Sequence, residues 1–323
     1  MRSILRLTAY ILLPLLAGCA PSFLVTPVAN TNAIQEVEVQ PARGWFAPKI
    51  AMIEVEGMLM NARTGGFLQA QENKLSLFKQ QLDAARNDRD VKAVVLRVNS
   101  PGGTVSCSDA MYDMLTKFRK ETGKPVIASA QEVMASGAYY VSCASDEIVA
   151  QPTSVVGSIG VMLELFEVDQ GLAKIGIYPR TIKSGALKEM GSPFKPISTE
   201  EKAVMQGMID EYYTRFVSVV QTKCHISDQM KLTQSTDGRV FSGEQAMAMG
   251  LIDRVGMLED AIDLARKRAN APSAKVIMYK RPYGFSGSIY ADASTPPPRA
   301  NVLQLPLPES LTRPVGFYYI WEP

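Results

Sequence analysis

The residues of this chain that could perform chemistry are a serine and two lysines in small, glycine-rich surroundings. Ser136 lies within Met134–Tyr140 (MASGAYY), shortly after the apolar segment Pro125–Ser129. A serine hydroxyl at the start of a helix can act as a nucleophile, because the positive end of the helix dipole favours a developing oxyanion. A serine at that position can equally cap the helix, and this segment taken alone favours the cap.

The base for such a serine is not expected to be a histidine, and a lysine can take its place. The single histidine, His225, directly follows Cys224, and neighbouring residues on a helix point about 100° apart, so no histidine dyad is predicted from this pair. A lysine amine acts as a base only when it is neutral, which burial in apolar surroundings favours. Lys183 and Lys188 are both available, and their spacing alone does not choose between them.

A third element is the glycine pair Gly102 and Gly103, which follows the apolar run Val91–Val98 (VKAVVLRV). Two glycines between a strand and a helix can present backbone N–H groups to an anion. In an acyl-transfer enzyme these groups would form an oxyanion hole. A tight strand-to-helix turn with no ligand is the alternative interpretation.

Strands and helices alternate around these three elements. Near-continuous apolar runs predict buried parallel strands at Val91–Val98, Pro125–Ser129 and Glu147–Ala150. Helices are predicted between them, at about Val105–Glu121 and Ser136–Ala144. The alternation predicts an α/β fold with a mostly parallel sheet and right-handed crossovers.

Further elements are predicted on either side of this region. They are a strand at Lys49–Val55, a helix at Glu72–Asn87, a strand and a helix after Gly157–Gly160, an extended segment at Tyr178–Lys183, a long helix at Thr199–Gln221 capped by Ser198, and helices at Ser242–Met249 and Leu258–Arg268.

Composition narrows the classes of function. The chain has 323 residues, of which 46% are hydrophobic, and a formal net charge of +2. This balance is typical of a globular protein with a sizeable core, and it does not favour a nucleic-acid partner. The sequence contains no CxxC, no Cys/His cluster and no HExxH, so no metal, nucleotide or coenzyme is implied.

The N-terminus has the pattern of an export signal. Arg2 and Arg6 precede an apolar run at Leu7–Leu16 that is too short to span a membrane, and Leu16–Cys19 (LAGC) resembles the bacterial lipobox. The resemblance implies cleavage before Cys19 and a diacylglycerol on its thiol; an ordinary signal peptide is the alternative. Ala20 after the lipidated cysteine favours the outer membrane, if the cell has two membranes.

Composition and proline content divide the chain into four parts. They are a lipoprotein signal peptide at 1–18, a lipid-anchored tether at 19–48, a catalytic domain at 49–280, and a Pro-rich tail at 281–323 whose aromatic end, Val315–Trp321, is expected to dock on the folded body.

Of the remaining cysteines, Cys107 and Cys143 could form a disulfide in an exported protein, although buried thiols are the commoner outcome.

Four ordered blocks together resemble the signal peptide peptidase A family, Ser–Lys serine proteases of the Clp protease/crotonase superfamily. The resemblance extends from about Ile50 to Ala269, and the blocks are RVNSPGG (97–103), MASGAYY (134–140), SDEIVAQPTSVVGSIGV (145–161) and KSGALKEMGSPF (183–194). It implies the superfamily's fold of repeated βα units with a mostly parallel sheet.

The resemblance also implies roles for individual residues. Ser136 would be the nucleophile and Lys188 the general base, Ser158 would hydrogen-bond the lysine amine, and Gly102 and Gly103 would belong to the oxyanion loop.

The sequence departs from the family pattern at two positions. Ala138 replaces a glycine, and Leu187 replaces an aromatic residue but keeps an apolar neighbour for Lys188. Neither change removes a reacting group. The chain carries one copy of a unit that longer relatives carry twice, which implies a homo-oligomeric ring in which Ser136 meets Lys188 of a neighbouring protomer.

The resulting expectation is an endopeptidase of the cell envelope that cleaves apolar peptides such as remnant signal peptides. It would be held on the membrane by a lipid anchor and would face away from the cytoplasm. The alternatives are an inert peptide-binding or scaffolding lipoprotein, against which the joint presence of Ser136 and Lys188 argues, and a crotonase-like acyl-transfer enzyme, against which the export signal argues.

Overall fold

The computed structural model describes residues 34–42, 47–62, 73–224, 226, 228–280 and 316–322. Its strands in chain order are β1 (Gln35–Gln40), β2 (Lys49–Glu56), β3 (Val91–Ser100), β4 (Gly102–Thr104), β5 (Val126–Ala135), β6 (Glu147–Ala150), β7 (Val155–Gly157), β8 (Met162–Leu163), β9 (Val240–Ser242), β10 (Arg254–Val255), β11 (Lys275–Lys280) and β12 (Phe317–Ile320). Its helices are α1 (Lys74–Asn87), α2 (Val105–Thr122), α3 (Gly137–Ser142), α4 (Asp169–Lys174), α5 (Thr199–Cys224), α6 (Gln229–Ser235), α7 (Gly243–Met249) and α8 (Leu258–Arg268), with a 3₁₀ turn at Ala186–Glu189.

Nine of these strands form one mostly parallel sheet. Its order is β1-β11-β2-β3-β5-β6-β10, and β7 extends the far end of β5 and pairs with β9. The pairs β1–β11 and β7–β9 are antiparallel, whereas the pairs between β11, β2, β3, β5, β6 and β10 are parallel. The predicted α/β fold with a mostly parallel sheet is therefore confirmed.

Helices cover both faces of this sheet. Along β3, Val94, Leu96 and Val98 point into one apolar cluster with α1, α2 and α3, while Ala93 and Val95 point into a second cluster with α8. Alternation of side chains along a strand sends successive residues to opposite faces, so a strand covered on both sides reads as a continuous apolar run. The β3 segment was recognisable in the sequence for this reason.

Most predicted elements are present, with small changes at their ends. The helix after β3 begins at Val105, where Thr104 caps it by accepting a hydrogen bond from the Cys107 N–H, and it ends at Gly123 in the left-handed conformation. Strand β5 continues to Ala135, well past the predicted end at Ser129. The segment 178–183, expected to be extended, forms no strand.

Part of the expected tether is a strand of the sheet, so the prediction for 19–48 is wrong for these residues. Strand β1 pairs antiparallel with β11 and buries Val39. Its alternation, QEVEVQ, fits an edge strand with one covered face, but the prolines on either side of it had indicated a linker. The signal peptide at 1–18, the lipidation site Cys19, the rest of the tether up to residue 33 and the tail at 281–315 lie outside the described residues. Within the described part of the chain, no helix has the length and apolarity needed to cross a bilayer.

A buried ion pair joins β2 and β3 near the carboxyl ends of the strands. The Arg97 side chain, 4% exposed, donates to the Glu54 carboxylate, which is 7% exposed, and to Glu56 Oε1 at 3.2 Å. Removing one partner of a buried pair is strongly destabilising, because the other charge stays in a poorly solvated environment.

We expect Arg97→Ala to lower the free energy of unfolding by about 3–5 kcal/mol, because it removes the guanidinium from a buried carboxylate. The matched control is Lys79→Ala, at the exposed i,i+4 pair Lys79–Asp83, where the loss should be about 1 kcal/mol or less. Urea denaturation of both variants measures the difference. Equal losses in the two variants would show that the buried pair has no special role.

Candidate active site

Ser136 lies at the point where β5 passes into α3, in an unusual backbone conformation. Its φ is 51° and its ψ is −116°, a combination that costs free energy for any residue other than glycine. The Ser136 N–H donates to the carbonyl oxygen of Gly157 at 2.7 Å, and its own carbonyl oxygen accepts from the Tyr140 N–H at 2.9 Å. These two bonds hold the turn and the start of α3.

The Ser136 side chain does not cap the helix. It makes no capping hydrogen bond, it is 1% exposed, and its Oγ has no hydrogen-bond partner among the described residues. A buried hydroxyl without a partner costs about 1–3 kcal/mol. The capping interpretation is therefore wrong here, and an unsatisfied buried hydroxyl on a strained turn is typical of a functional residue.

Ser158 follows the strand beside Ser136. In the parallel pair β5–β7, Ala135 lies opposite Gly157, so the next residue of each strand is a serine. Ser158 also has a φ of 51°, and its N–H donates to the Arg239 carbonyl oxygen at 2.8 Å. The structure thus brings the two serines to the same end of two neighbouring strands.

The loop that carries Gly102 and Gly103 is held by Ser100 and by Leu59. Ser100 Oγ donates to the Gly57 carbonyl oxygen at 2.6 Å and accepts from the Gly102 N–H at 3.1 Å. Leu59 N–H donates to the Gly102 carbonyl oxygen at 2.8 Å, and its carbonyl oxygen accepts from the Thr104 N–H at 2.9 Å.

This pattern decides which glycine can stabilise an oxyanion. The Gly102 N–H is already bonded to Ser100, so the expectation that it serves as an oxyanion donor is wrong. Because the polar groups of successive strand residues alternate between the two edges, the N–H of Gly103 faces away from Leu59. Gly103 is therefore the donor that this loop can offer.

The backbone of Gly137, which the sequence did not single out, lies beside this loop and can offer a second N–H donor. A Cβ built at Gly102 would lie 2.7 Å from the Gly137 nitrogen, and one built at Gly137 would lie 3.2 Å from the Gly103 nitrogen and 2.3 Å from Ser108 Oγ. The backbones of the three glycines therefore converge, and only residues without side chains allow it. The available signal is the position directly after Ser136, because the N–H of the residue that follows a nucleophilic serine commonly contributes to an oxyanion hole.

Lys188 does not reach Ser136 within one chain. It lies exposed in the 3₁₀ turn, and Ser136 Oγ has no hydrogen-bond partner among the described residues, Lys188 included. The other lysine, Lys183, donates to Glu189 Oε2 at 3.1 Å. Among the described residues of one chain, the two serines and these backbone N–H groups lie together, and Lys188 makes no hydrogen bond with Ser136 Oγ.

The segment 164–198, which carries Lys188, exposes many apolar side chains. Helix α4 and the 3₁₀ turn bury no residue. The exposed apolar residues of this segment are Phe166, Val168, Ile175, Ile177, Tyr178, Ile182, Phe194 and Ile197. A concentration of exposed apolar side chains of this kind marks a surface that contacts another molecule.

The cysteines near the site are unpaired thiols. Cys107 and Cys143 are buried and free, so the possible disulfide between them is absent from the described residues. Burial raises the pKa of the Cys107 thiol to about 11 and that of Cys143 well above its ordinary value. Both thiols are therefore protonated at neutral pH, which makes them poor nucleophiles.

Comparison with known proteins places this site in a family. A model described as peptidase family S49 matches residues 118–272, which include both serines and Lys188, and a model described as Clp protease matches residues 52–155. A protein of Methanocaldococcus jannaschii whose name describes it as a protease is 39% identical over 214 residues, covering 66% of this chain and 68% of that protein. An Enterococcus faecium protein named as a signal peptide peptidase is 36% identical over 260 residues, covering 80% and 74%.

In a longer relative the matched region is a smaller share of the whole protein. The chloroplastic serine protease SPPA of Arabidopsis thaliana is 36% identical over 202 residues, which is 61% of this chain and 29% of that protein. The identities and coverage of the shorter relatives show the family. The chain is a protease, and it belongs to peptidase family S49, the signal peptide peptidase A family.

Proposed function

We propose that the chain is a serine endopeptidase of the cell envelope, with Ser136 as nucleophile and Lys188 as general base. The observation that carries this proposal is the buried, unpartnered Ser136 Oγ beside the convergent backbones of Gly103 and Gly137. A nucleophile needs an unengaged oxygen, and an acyl-transfer site needs N–H donors next to it.

The reaction begins when Ser136 Oγ attacks the scissile carbonyl carbon and its proton passes to the neutral Lys188 amine. The N–H groups of Gly103 and Gly137 stabilise the tetrahedral oxyanion. Lys188 then returns the proton to the leaving amine, which leaves an acyl group on Ser136. Water hydrolyses this ester by the same proton transfers in reverse roles. Ser158, beside Ser136, orients the lysine amine.

We propose further that Lys188 reaches Ser136 from a neighbouring protomer of a ring. Its own Ser136 is unpartnered, and Lys188 lies on a segment whose apolar side chains are exposed in the single chain. Packing of this segment against a second copy would bury these side chains and would deliver the amine into apolar surroundings. Such burial favours the neutral form that a base requires.

The proposed substrates are apolar peptides, such as remnant signal peptides, on the outer side of the membrane. This follows the name of the Enterococcus faecium relative and the export and lipidation signals at the N-terminus. The lipid on Cys19 would hold the protease next to membrane-released peptides.

We expect Ser136→Ala and Lys188→Ala each to lower kcat/KM for an apolar peptide by more than about 1,000-fold, because each removes a reacting group. Lys183→Ala is the matched control, since Lys183 lies in the same segment but pairs with Glu189. It should leave kcat/KM largely unchanged. Full activity in Lys188→Ala would disprove the assignment of the base.

A mixing experiment tests the shared site. Subunits of Ser136→Ala and Lys188→Ala, each inactive alone, are reassembled into mixed rings, which native mass spectrometry verifies. We expect recovered activity, because some interfaces then join an intact Ser136 to an intact Lys188. Verified mixed rings that stay inactive would instead show that each protomer contains its own complete site.

We expect Gly137→Ala to lower kcat by about 100–1,000-fold, because the added Cβ would move the backbone N–H out of its position as an oxyanion donor. The added Cβ would lie 2.3 Å from Ser108 Oγ and would displace the start of α3. Gly207→Ala is the matched control, because no described atom lies within 4 Å of a Cβ built there. Steady-state kinetics and thermal unfolding of both variants separate a loss of catalysis from a loss of folding, and an active Gly137→Ala would argue against this donor.

The anchor is tested by Cys19→Ser, which we expect to abolish lipid attachment because serine lacks the thiol that receives the diacylglycerol. Mass spectrometry of the mature N-terminus and fractionation of membranes measure the result. A wild-type N-terminus that is unmodified and begins elsewhere would exclude lipidation at this residue.

A further inference from the structure

Two neighbouring side chains at the end of β3, Asn99 and Ser100, hold different parts of the candidate active site. Ser100 bonds to the glycine loop that follows β3. Asn99 bonds to strand β5, which ends next to Ser136. Neither side chain bonds to Ser136 Oγ, so any part they take in the reaction is indirect.

The Ser100 hydroxyl fixes the first peptide unit of the glycine loop. It is fully buried, donates to the Gly57 carbonyl oxygen at 2.6 Å and accepts from the Gly102 N–H at 3.1 Å. The Gly57 N–H in turn donates to the Asn99 carbonyl oxygen at 3.0 Å. Both polar groups of Gly57 are therefore held by the end of β3, and the loop is tied to the same point.

This anchoring sets the direction of the Gly103 N–H. The C=O and the N–H of a trans peptide unit point in opposite directions. The Leu59 N–H holds the Gly102 carbonyl oxygen at 2.8 Å, so the Gly103 N–H of the same unit points away from Leu59. Gly102 joins this unit to the one that Ser100 holds, at a φ of 103° that glycine adopts readily. Without the Ser100 hydroxyl, the buried Gly102 N–H would lose its acceptor and the loop would lose one of its two anchors.

Strand β5 is irregular shortly before the nucleophile. Val98 lies opposite Ala130 but Ser100 lies opposite Met134, so β5 has two more residues than β3 over this step. Up to Ala130 the strand pairs with β6, and from Val133 onward it pairs with β7. Bulges of this kind bend a strand and re-aim the residues that follow, and they are common next to active sites.

The Asn99 side chain holds the far end of this irregularity. Its Oδ1 accepts from the Val133 N–H at 3.1 Å, three residues before Ser136. On the other side, Ser154 Oγ donates to the Gln131 carbonyl oxygen. The direction in which β5 approaches the nucleophile is therefore set by side chains on both sides of the strand.

We propose that Asn99 and Ser100 are positioning residues that align the nucleophile with the oxyanion donor. Ser100 aims the Gly103 N–H, Asn99 sets the end of β5, and their adjacency in one strand fixes the two parts relative to each other. This inference deepens the proposed function and rests on it. Loss of either side chain should slow the chemical step and leave peptide affinity little changed, since a misplacement of about 1 Å can cost about 100-fold in rate.

Steady-state kinetics of the full chain with an apolar peptide test this alignment. We expect Ser100→Ala to lower kcat by about 10–100-fold and to change KM by less than about twofold, and Asn99→Ala to show the same split. Ser145→Ala is the matched control, because its buried hydroxyl also makes bonds of 2.6 and 3.1 Å to backbone groups. Ser145 precedes β6, at the opposite end of the sheet from Ser136. Its loss should lower the thermal unfolding temperature as much as Ser100→Ala does and leave kcat near the wild-type value.

Hydrogen–deuterium exchange with mass spectrometry tests the same contacts without relying on catalysis. In Ser100→Ala, the segment 101–104 should exchange at least about tenfold faster, because the Gly102 N–H has lost its acceptor. In Asn99→Ala, the segment 131–136 should exchange faster, because the Val133 N–H has lost its own. Asn99→Asp keeps an oxygen acceptor and should restore the protection of that segment.

A loss of kcat in Ser100→Ala no larger than in Ser145→Ala would overturn the proposal, as would a loss that appears in KM instead. Unchanged exchange of both segments would overturn it as well. A failure of the proposed function would look different, because the wild-type chain would then show no Ser136-dependent hydrolysis. In that case the exchange of the two segments alone decides whether Asn99 and Ser100 hold them.

Discussion

The hydrogen bond from the Ser136 N–H to the Gly157 carbonyl oxygen is the constraint on which the active site depends. A residue other than glycine held at positive φ costs about 1–3 kcal/mol, and one hydrogen bond contributes only about 0.5–1.5 kcal/mol. The bond alone therefore does not hold the turn. The turn is held because β5 pairs with β3, β6 and β7 at once, so that relaxing the backbone of Ser136 would disturb the centre of the sheet.

Close approach of backbones follows from that turn. With the start of α3 fixed, the nitrogen of Gly137 lies next to the Gly102–Gly103 loop, and the free edge of β4 is left to receive a third strand. Side chains on Gly102 or Gly137 would crowd the space that the Tyr319 carbonyl group occupies. The same absence of Cβ atoms therefore lets these backbones approach one another and admits β12.

The described residues comprise a well-buried body and an exposed segment. The sheet and its helices bury Ser136, whereas residues 164–198 present apolar side chains and Lys188 to the outside. An amine on such a segment gains apolar surroundings only when another surface covers it, so the proposed role of Lys188 as base would link catalysis to assembly.

Much of the fold was determined by local pattern in the sequence. Alternating apolar runs and capped helices placed the strands around Val91–Val98 and Glu147–Ala150, and four ordered blocks indicated the family and the serine at 136. Tertiary structure alone decided that the Ser136 side chain caps no helix, that the Gly102 N–H is bonded to Ser100 while the backbones of Gly103 and Gly137 converge, that Lys188 makes no hydrogen bond with Ser136 Oγ, and that residues 35–40 form a strand. These facts depend on contacts between residues far apart in the chain, such as Tyr319 with Gly103, and local propensity carries no information about which distant backbone completes a hydrogen bond.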